Sequence, residues 1–202
     1  MNREMPLRHH RKSTPEAAQT PGSRSQLVYR ALRRAIIEQA LKPGMKLPED
    51  SVGEQMGVSR TLVREALGRL ALEGLVELKP NRGASVACPT LDEARDVFHV
   101  RRGLERLVVE ALAGRLSAPQ VAELEEHVRQ EELAEGRDGP EAIRLSGEFH
   151  IRLAAMTGNA LLLRYVQEAS SRCSLILAIY GRPHSSECAV SEHRQLIEAL
   201  TV

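Results

Sequence analysis

The residues around position 60 have types and spacing suited to contact with a DNA duplex. Ser59, Arg60 and Thr61 are consecutive, and Arg64 follows four residues after Arg60. An arginine can donate two hydrogen bonds to the O6 and N7 atoms of guanine, and each such pair is worth ~1–3 kcal/mol of discrimination. Serine and threonine hydroxyls can reach phosphates or bases. We therefore predict that Arg60 and Arg64 contact bases from the start of a helix.

Two histidines form a second group of residues, which could bind a metal. His150 and His193 could bind a divalent metal, because imidazole is a good ligand for zinc and nickel. They lie on different predicted helices, and helical bundles build metal sites from ligands on facing helices. Two histidines that are merely hydrogen-bonded or exposed fit the sequence equally well. Arg101 and Glu105 lie four residues apart, a spacing at which an ordinary exposed ion pair also forms.

Two short helices joined by a turn are predicted around the arginines. Val52 and Met56 share one face of a helix that starts near Pro48. Gly57 allows the left-handed backbone conformation that a tight turn after a helix needs. Ser59 is predicted to cap the second helix through its hydroxyl. The apolar face of that second helix is predicted to be buried and comprises Leu62, Val63, Ala66, Leu67 and Leu70.

A β-hairpin is predicted after the second helix. Two β-type runs, Leu75–Leu78 and Ala84–Ala87, flank the turn residues Pro80-Asn81-Arg82-Gly83. Arg82 at the tip could contact phosphates or enter the minor groove. Two helices, a turn and a hairpin in this order predict a winged helix-turn-helix. The alternative is a small α/β domain with a solvated basic face.

Charge is distributed unevenly along the 202 residues. Up to Pro89 there are 15 Lys/Arg and 9 Asp/Glu, and from Thr90 onwards there are 13 and 18, so the net charges are +6 and −5. A basic first part suits contact with a polyanion. Only 2% of the residues are aromatic, so the cores must be built from aliphatic side chains, which suits packed helices.

The motif content argues against an enzyme, a secreted protein and a membrane protein. The sequence contains no H-E-x-x-H motif, no nucleophile elbow and no phosphate-binding glycine loop. No apolar run approaches the ~20 residues of a membrane helix. The three cysteines, Cys88, Cys173 and Cys188, come without a secretory signal and suggest reduced thiols in the cytoplasm.

Three segments are predicted along the chain: a disordered arm over residues 1–24, a winged helix-turn-helix over 25–89, and a helical domain over 90–202. Capping boxes at Thr90 and Ser117 begin two helices, which end near Gly114 and Glu135. Further helices are predicted over 140–158, over 160–180 and from about Ser191. The fold class is therefore mainly α, with an antiparallel helical bundle after the winged domain. The first helix, about 26–40, is predicted to bury Leu27, Ala31, Leu32, Ala35 and Ile36.

The chain resembles the GntR family of bacterial transcription regulators, and its second part resembles the all-helical effector domain of the family's FCD branch. The similarity runs from about Gln26 to the C-terminus. In the first part it is carried by Lys42-Pro43-Gly44, Val58-Ser59-Arg60, Val63-Arg64-Glu65-Ala66-Leu67 and Asn81-Arg82-Gly83. In the second part it is carried by Arg101, Leu104-Glu105, Glu148-Phe149-His150, Gly158-Asn159 and Glu192-His193 with Ile197.

The resemblance implies a cytoplasmic homodimer that binds a short palindromic operator, most simply as a repressor. It implies a pocket for a small organic acid in the helical domain, with Arg101 and Glu105 in the pocket and Arg101 clamping the carboxylate. It further implies a zinc or nickel ion on His150 and His193 that coordinates the same carboxylate. Effector binding would then change operator affinity. The implied DNA contacts are Ser59, Arg60, Thr61, Arg64, Arg82 and Gly83.

Three departures from the family pattern modify these expectations. Asp50 stands where some members have a basic DNA-contacting residue, so no phosphate contact is expected there. Ser146 stands where many members have an aspartate four residues before the histidine. Members also continue beyond the position of Val202 into a helix that carries a further histidine. We therefore expect a shortened helical domain, lacking its last helix, with an incomplete metal site.

Two other functions remain open on the sequence. One is a DNA-binding remnant whose defective sensor domain no longer responds to a ligand. The other is a metal-dependent hydrolase that uses His150 and His193, which the missing catalytic motifs disfavour.

Overall fold

The structure is a computed structural model that describes residues 21–134, 139–180 and 185–201. Within these ranges the chain is mainly α-helical, with eight helices and one two-stranded sheet. The elements are α1 (Pro21–Ile37), α2 (Glu49–Met56), α3 (Arg60–Leu72), β1 (Val76–Lys79), β2 (Gly83–Val86), α4 (Leu91–Leu112), α5 (Ala118–Ala134), α6 (Gly139–Met156), α7 (Ala160–Tyr180) and α8 (Ser185–Thr201).

Helices α1, α2 and α3 and the sheet share one aliphatic core. The predicted stripe of α3 is buried at Val63, Ala66, Leu67 and Leu70, whereas Leu62 is only half-buried. Ser59 is the residue before α3, but its hydroxyl makes no capping hydrogen bond. Its carbonyl oxygen instead accepts the backbone N–H groups of the first turn, so the predicted hydroxyl cap is wrong.

The strands β1 and β2 pair as an antiparallel hairpin, the wing of the predicted motif. The register pairs Val76 with Val86 and Lys79 with Gly83. The turn is possible because Asn81 and Gly83 both have positive φ angles, of 57° and 72°, which these residue types tolerate best. Lys46, before α2, bridges to β2 and extends the hairpin on its outer edge.

Helices α4 to α8 form a second, helical unit with its own aliphatic core. Helix α7 packs against α4 and α6, and α5 packs against α6 and α8. The predicted capping box at Thr90 forms in full: its hydroxyl accepts the Glu93 N–H, and the Glu93 carboxylate accepts the Thr90 N–H. The largest core side chain is Phe149, which is completely buried.

Several predicted boundaries are wrong. Residues 21–24, assigned to the disordered arm, belong to α1, and residues 1–20 lie outside the described residues. Helix α1 ends at Ile37 instead of Ala40, and it buries Val28, Leu32 and Ile36. The predicted Leu27 is 55% exposed and Ala31 is exposed too, because the buried face is turned by one residue.

Other boundaries shift at helix ends in the second unit. Asn159 does not end α6: its side-chain oxygen accepts the N–H groups of Leu161 and Leu162 at 3.1 Å, so it caps the start of α7. Helix α8 begins at Ser185, six residues before the predicted start. Of the predicted loop over 181–189, residues 185–189 are therefore helix, and residues 181–184 lie outside the described residues. No helix among the described residues has the length and apolarity to cross a membrane.

Helix α7 also packs against the winged unit. Leu175 is 1% exposed and belongs to the core of α1, α3 and the wing. The Arg172 guanidinium donates from Nε to the Glu73 carbonyl oxygen at 2.9 Å. It lies so close to Gly74 that a Cβ there would be 2.6 Å from the Arg172 Nε atom. Arg33 of α1 donates to the Ser171 hydroxyl at 2.5 Å. One helix therefore contacts both units.

Candidate nucleic-acid interface and ligand cavity

The N-terminal end of α3 presents the predicted DNA-contacting side chains to solvent. The side chains of Arg60 and Arg64 are 62% and 69% exposed, and Ser59 and Thr61 are exposed as well. The opposite face of α3 is buried in the core through Val63 and the other apolar residues. The apolar face of the helix is therefore packed against the core while its polar end faces solvent, as in helices that enter a major groove.

Two carboxylates at the start of α2 hold these arginines. Arg64 donates from Nε to Glu49 Oε1 at 2.9 Å and from Nη2 to Glu49 Oε2 at 2.7 Å. Arg60 Nε lies 2.9 Å from Asp50 Oδ1. The hydrogen bonds from Arg64 lower the pKa of Glu49 below its ordinary value. These pairs are not among the predicted contacts, although both carboxylates stand in the first turn of the preceding helix.

The tip of the wing is also exposed. Arg82 and Gly83 are both exposed, next to the positive φ of Asn81. Lys46 Nζ donates to the Arg82 carbonyl oxygen at 3.3 Å, which places a second cation at the tip. Lys46 is not a predicted contact residue, because only its bridge to β2 brings it to the hairpin.

The second group of predicted residues meets at a cavity of about 1020 Å³ between α4, α6, α7 and α8. Arg101, Glu105, His150 and His193 all line it. Ser146, the residue in place of the family's aspartate, lines it too. The lining also includes Arg95, Arg102 and His99. Its three arginines stand against two glutamates, Glu105 and Glu192, so its formal net charge is +1 with neutral histidines.

Arg101 and Glu105 form the predicted pair, but it is not an exposed surface pair. The two side chains are only 14% and 30% exposed, and Arg101 Nε lies 2.6 Å from Glu105 Oε1. His150 Nδ1 contacts the same oxygen at 2.9 Å. Burial alone would raise the pKa of Glu105, but the hydrogen bond from His150 and the charge of Arg101 outweigh it and lower the pKa to about 2.

The two histidines face each other across the cavity wall. The Nε2 atoms of His150 and His193 are 3.3 Å apart. On the far side of each ring, Nδ1 meets a carboxylate, Glu105 for His150 and Glu131 for His193 at 2.8 Å. If both Nδ1 atoms donate to these carboxylates, both Nε2 lone pairs point at each other, an arrangement that favours a shared proton or a cation.

The two imidazoles fit a metal as a partial ligand set. Two nitrogens bound at the usual zinc distance in a tetrahedral site lie about 3.3 Å apart, which matches the observed separation. Burial lowers the pKa of His150, which favours the neutral ring that a metal needs. Among the described residues, however, no group of three or more histidine, cysteine, aspartate or glutamate side chains is arranged to hold a metal ion.

A further buried group lies behind His193. Glu131 is 3% exposed. Its second oxygen, Oε1, lies 3.6 Å from His127 Nε2. The same His127 nitrogen lies 2.9 Å from the Leu145 carbonyl oxygen. The His193 ring is also stacked on Phe149 with centroids 3.9 Å apart. These contacts fix the orientation of His193. Neither His127 nor Glu131 is a predicted site residue, although their spacing of four residues on α5 could have marked them as a pair. Their position behind His193 depends on the packing of α5 against α8.

Comparison with known families finds two matches along the chain. Residues 24–86 match the family described as bacterial regulatory proteins, gntR family. Residues 96–201 match the FCD domain, which is more than half of the chain.

Individual relatives are also regulators. The chain is 29% identical over 175 residues to the uncharacterized HTH-type transcriptional regulator YdhC of Bacillus subtilis, with 84% of this chain and 77% of that one covered. It is 32% identical over 127 residues to the HTH-type transcriptional repressor RspR of Escherichia coli, with 62% of this chain covered and only 56% of the repressor's length. A crystal structure of a transcriptional regulator GntR from Rhodococcus sp. RHA1 shares the fold, with a TM-score of 0.74, 24% identity, and 89% and 86% of the two chains covered.

Replacement of Glu105 by glutamine is expected to destabilise the protein by about 2 kcal/mol at neutral pH, because Arg101 then lacks a charged partner in a largely buried position. The pKa of Glu105 is lower in the folded protein than its ordinary value of 4.5. The pair's contribution is therefore fully present above that value and is lost as the pH falls towards about 2.

The measurement is urea unfolding at one protein concentration and at several pH values. The difference between wild type and Glu105→Gln should narrow between about pH 5 and about pH 3. Glu110→Gln is the control, because its carboxylate is 55% exposed and pairs with exposed Arg106 on the same helix. Equal unfolding free energies for wild type and Glu105→Gln at neutral pH would show that the pair is not stabilising.

Proposed function

Because the chain belongs to the GntR family of bacterial regulatory proteins and carries an FCD domain, we propose that it represses transcription by binding a palindromic operator as a homodimer. In this proposal a small organic acid binds the cavity of the helical unit and changes operator affinity. The protein acts in the cytoplasm, where the operator is. The proteins it resembles are transcription regulators, and one of those named above is a repressor.

The observation that carries the proposal is the exposed polar end of α3 on a buried apolar support. Arg60, Thr61 and Arg64 project from one end of a helix whose other face is completely packed. The tip of the wing presents two further exposed cations, Arg82 and Lys46. Arginines at this end suit guanine edges in the major groove, and the wing cations suit phosphates.

An outward apolar stripe on α4 supports the homodimer. Val97, Val100, Leu104 and Leu107 recur at three and four residues, so they share one face of the helix. Val100 and Leu107 are 56% and 53% exposed, and Tyr165 of α7 lies beside the stripe at 45%. A contiguous apolar face of this kind is typical of a subunit interface. A second copy of the chain, packed through the same face, would bury it.

The contacts in the cavity support a carboxylate effector with a metal. His150 and His193 would hold the ion, with water or the effector as the remaining ligands, and Ser146 offers no charge to complete the set. The ion would act as a Lewis acid and attract a carboxylate. Arg101 lies in the same wall and can donate to that carboxylate, in competition with Glu105. We propose that metal affinity is modest, because two imidazoles are fewer ligands than a structural site uses.

Replacing Arg60 or Arg64 by alanine is expected to weaken operator binding by ~1–3 kcal/mol each, because a bidentate base contact is lost. Arg82→Ala should weaken all duplexes alike and reduce by about 1 the slope of log affinity against log salt. The operator is first selected from random duplexes, and affinities are then measured by fluorescence anisotropy over a range of salt. Arg129→Ala on α5 is the control. Selective binding that survives reversal of both charges, at positions 60 and 64, would refute the proposed interface.

Replacing Val100 by glutamate is expected to convert the dimer to monomers, since a charge would then be buried in the apolar interface. Sedimentation equilibrium of the full chain measures the mass of the assembly. Leu133→Glu is the matched control, because Leu133 is 64% exposed on α5, away from the stripe. A monomeric wild type, or a Val100→Glu protein that remains dimeric, would contradict the proposed interface.

Titration with zinc or nickel ions is expected to show binding that His193→Gln weakens by about tenfold or more, because one of two imidazole ligands is removed. Isothermal titration calorimetry gives the affinity directly. His99→Gln is the control, because His99 lines the same cavity but is exposed and is not part of the histidine pair. Equal affinities for wild type and His193→Gln, with unchanged circular dichroism, would remove the metal from the proposal.

A further inference from the structure

We propose that Glu49 is a specificity-determining residue that orients Arg64 so that it binds guanine in preference to phosphate. The inference rests on the proposed DNA binding and adds a partner for one of its arginines. Glu49 belongs to α2, not to the helix that carries the arginines. Its side chain is 25% exposed and lies against the exposed end of α3.

The hydrogen bonds leave a defined part of the Arg64 guanidinium free. Glu49 accepts the Nε–H and one Nη2–H of Arg64, with both of its oxygens used. This takes up one edge of the planar fork, so one Nη1–H and the second Nη2–H form the adjacent donor edge at the end of the guanidinium. That edge has the spacing to donate to O6 and N7 of a guanine. A guanidinium held on one edge loses less conformational entropy when the other edge binds.

The charges of the neighbouring carboxylates also favour base contacts over phosphate contacts. Asp50 contacts Arg60 through one atom pair, Oδ1 and Nε at 2.9 Å, and Glu49 Oε2 lies 3.8 Å from Arg60 Nη2. The start of α2 therefore places two carboxylates beside two guanidinium groups. The carboxylates partly cancel the arginine charge and repel phosphates, so they weaken sequence-independent binding. Hydrogen bonds to base edges depend on donor direction, which the carboxylates preserve.

The alternative is a purely structural role, in which the Glu49–Arg64 pair only holds α2 against α3. In that case removal of the carboxylate would lower stability and weaken binding to every duplex equally. The positioning role makes a different prediction: the loss is confined to one base position in each half-site and disappears when Arg64 is absent.

The test measures the DNA affinities of four proteins: wild type, Glu49→Gln, Arg64→Ala and the double variant. Each protein is measured on the selected operator, on operators in which each half-site guanine is replaced in turn, and on an unrelated duplex. Glu49→Gln should lower the ratio of operator to unrelated-duplex affinity by about tenfold, because operator binding weakens while unrelated duplex binds equally or more tightly. The Glu49→Gln variant should also lose the preference for guanine at one position of each half-site. In the Arg64→Ala background the same substitution should leave that guanine preference unchanged.

Glu54→Gln is the matched control: it makes the same charge change on the same helix, at an exposed position five residues on. Thermal unfolding of each variant reports its stability. The inference is overturned if Glu49→Gln keeps the wild-type base preference, or if it weakens all duplexes equally. A wild type without sequence-selective binding would instead refute the proposed function itself, so the two failures are distinguishable.

Discussion

The close packing of α7 against both units is the constraint on which the rest of the structure depends. Its buried residues lie around most of the helix and include Ala169, Ser170, Ser171 and Ser174, whose small side chains let neighbouring helices approach. Helix α6 approaches α7 closely at Gly147, where a Cβ would lie 3.0 Å from the Ser174 hydroxyl oxygen. A helix buried on so many sides cannot move without disturbing several partners. The position of the winged unit relative to the cavity follows from this helix.

The same helix connects the cavity to the winged unit. Ile176 and Tyr180 line the cavity, and the Tyr180 hydroxyl donates to the Pro89 carbonyl oxygen in the segment between β2 and α4 at 3.0 Å. Leu175, the residue before Ile176, lies in the core of the winged unit. A ligand that shifted the cavity-lining side of α7 would therefore press on the winged unit directly. Neighbouring residues of one helix therefore line the cavity and fill part of the core of the winged unit.

Arginine–carboxylate pairs recur at both sites, with different burial and different consequences. The Arg101–Glu105 pair is largely buried, so a ligand carboxylate that binds Arg101 has to displace a charged competitor in a poorly solvated position. In the Arg64–Glu49 pair the guanidinium side chain is 69% exposed, so solvent screens the pair and its energy is small. Its value lies in geometry, because the carboxylate decides which edge of the guanidinium is left for a partner.

Local patterns in the sequence were sufficient for much of the fold. The buried face of α3, the Thr90 capping box, the hairpin around Arg82 and the long helices all follow from neighbouring residues, and the mainly α fold with a winged helix-turn-helix is confirmed. The errors lie where local patterns compete: Leu27 fits the stripe of α1 as well as Val28 does, and only packing against α3 selects the latter.

The residue types and spacing of the chain by themselves determined the fold class, the family resemblance, and the arginines and histidines of the two candidate sites. Only the tertiary structure decided their partners: Glu49 for Arg64, Glu105 for His150, and Glu131 for His193. Two of these pairs join side chains more than forty positions apart along the chain. The physical reason is that a carboxylate fits almost any exposed position in a sequence, whereas an ion pair forms only where packing of separate helices brings two side chains within hydrogen-bond distance.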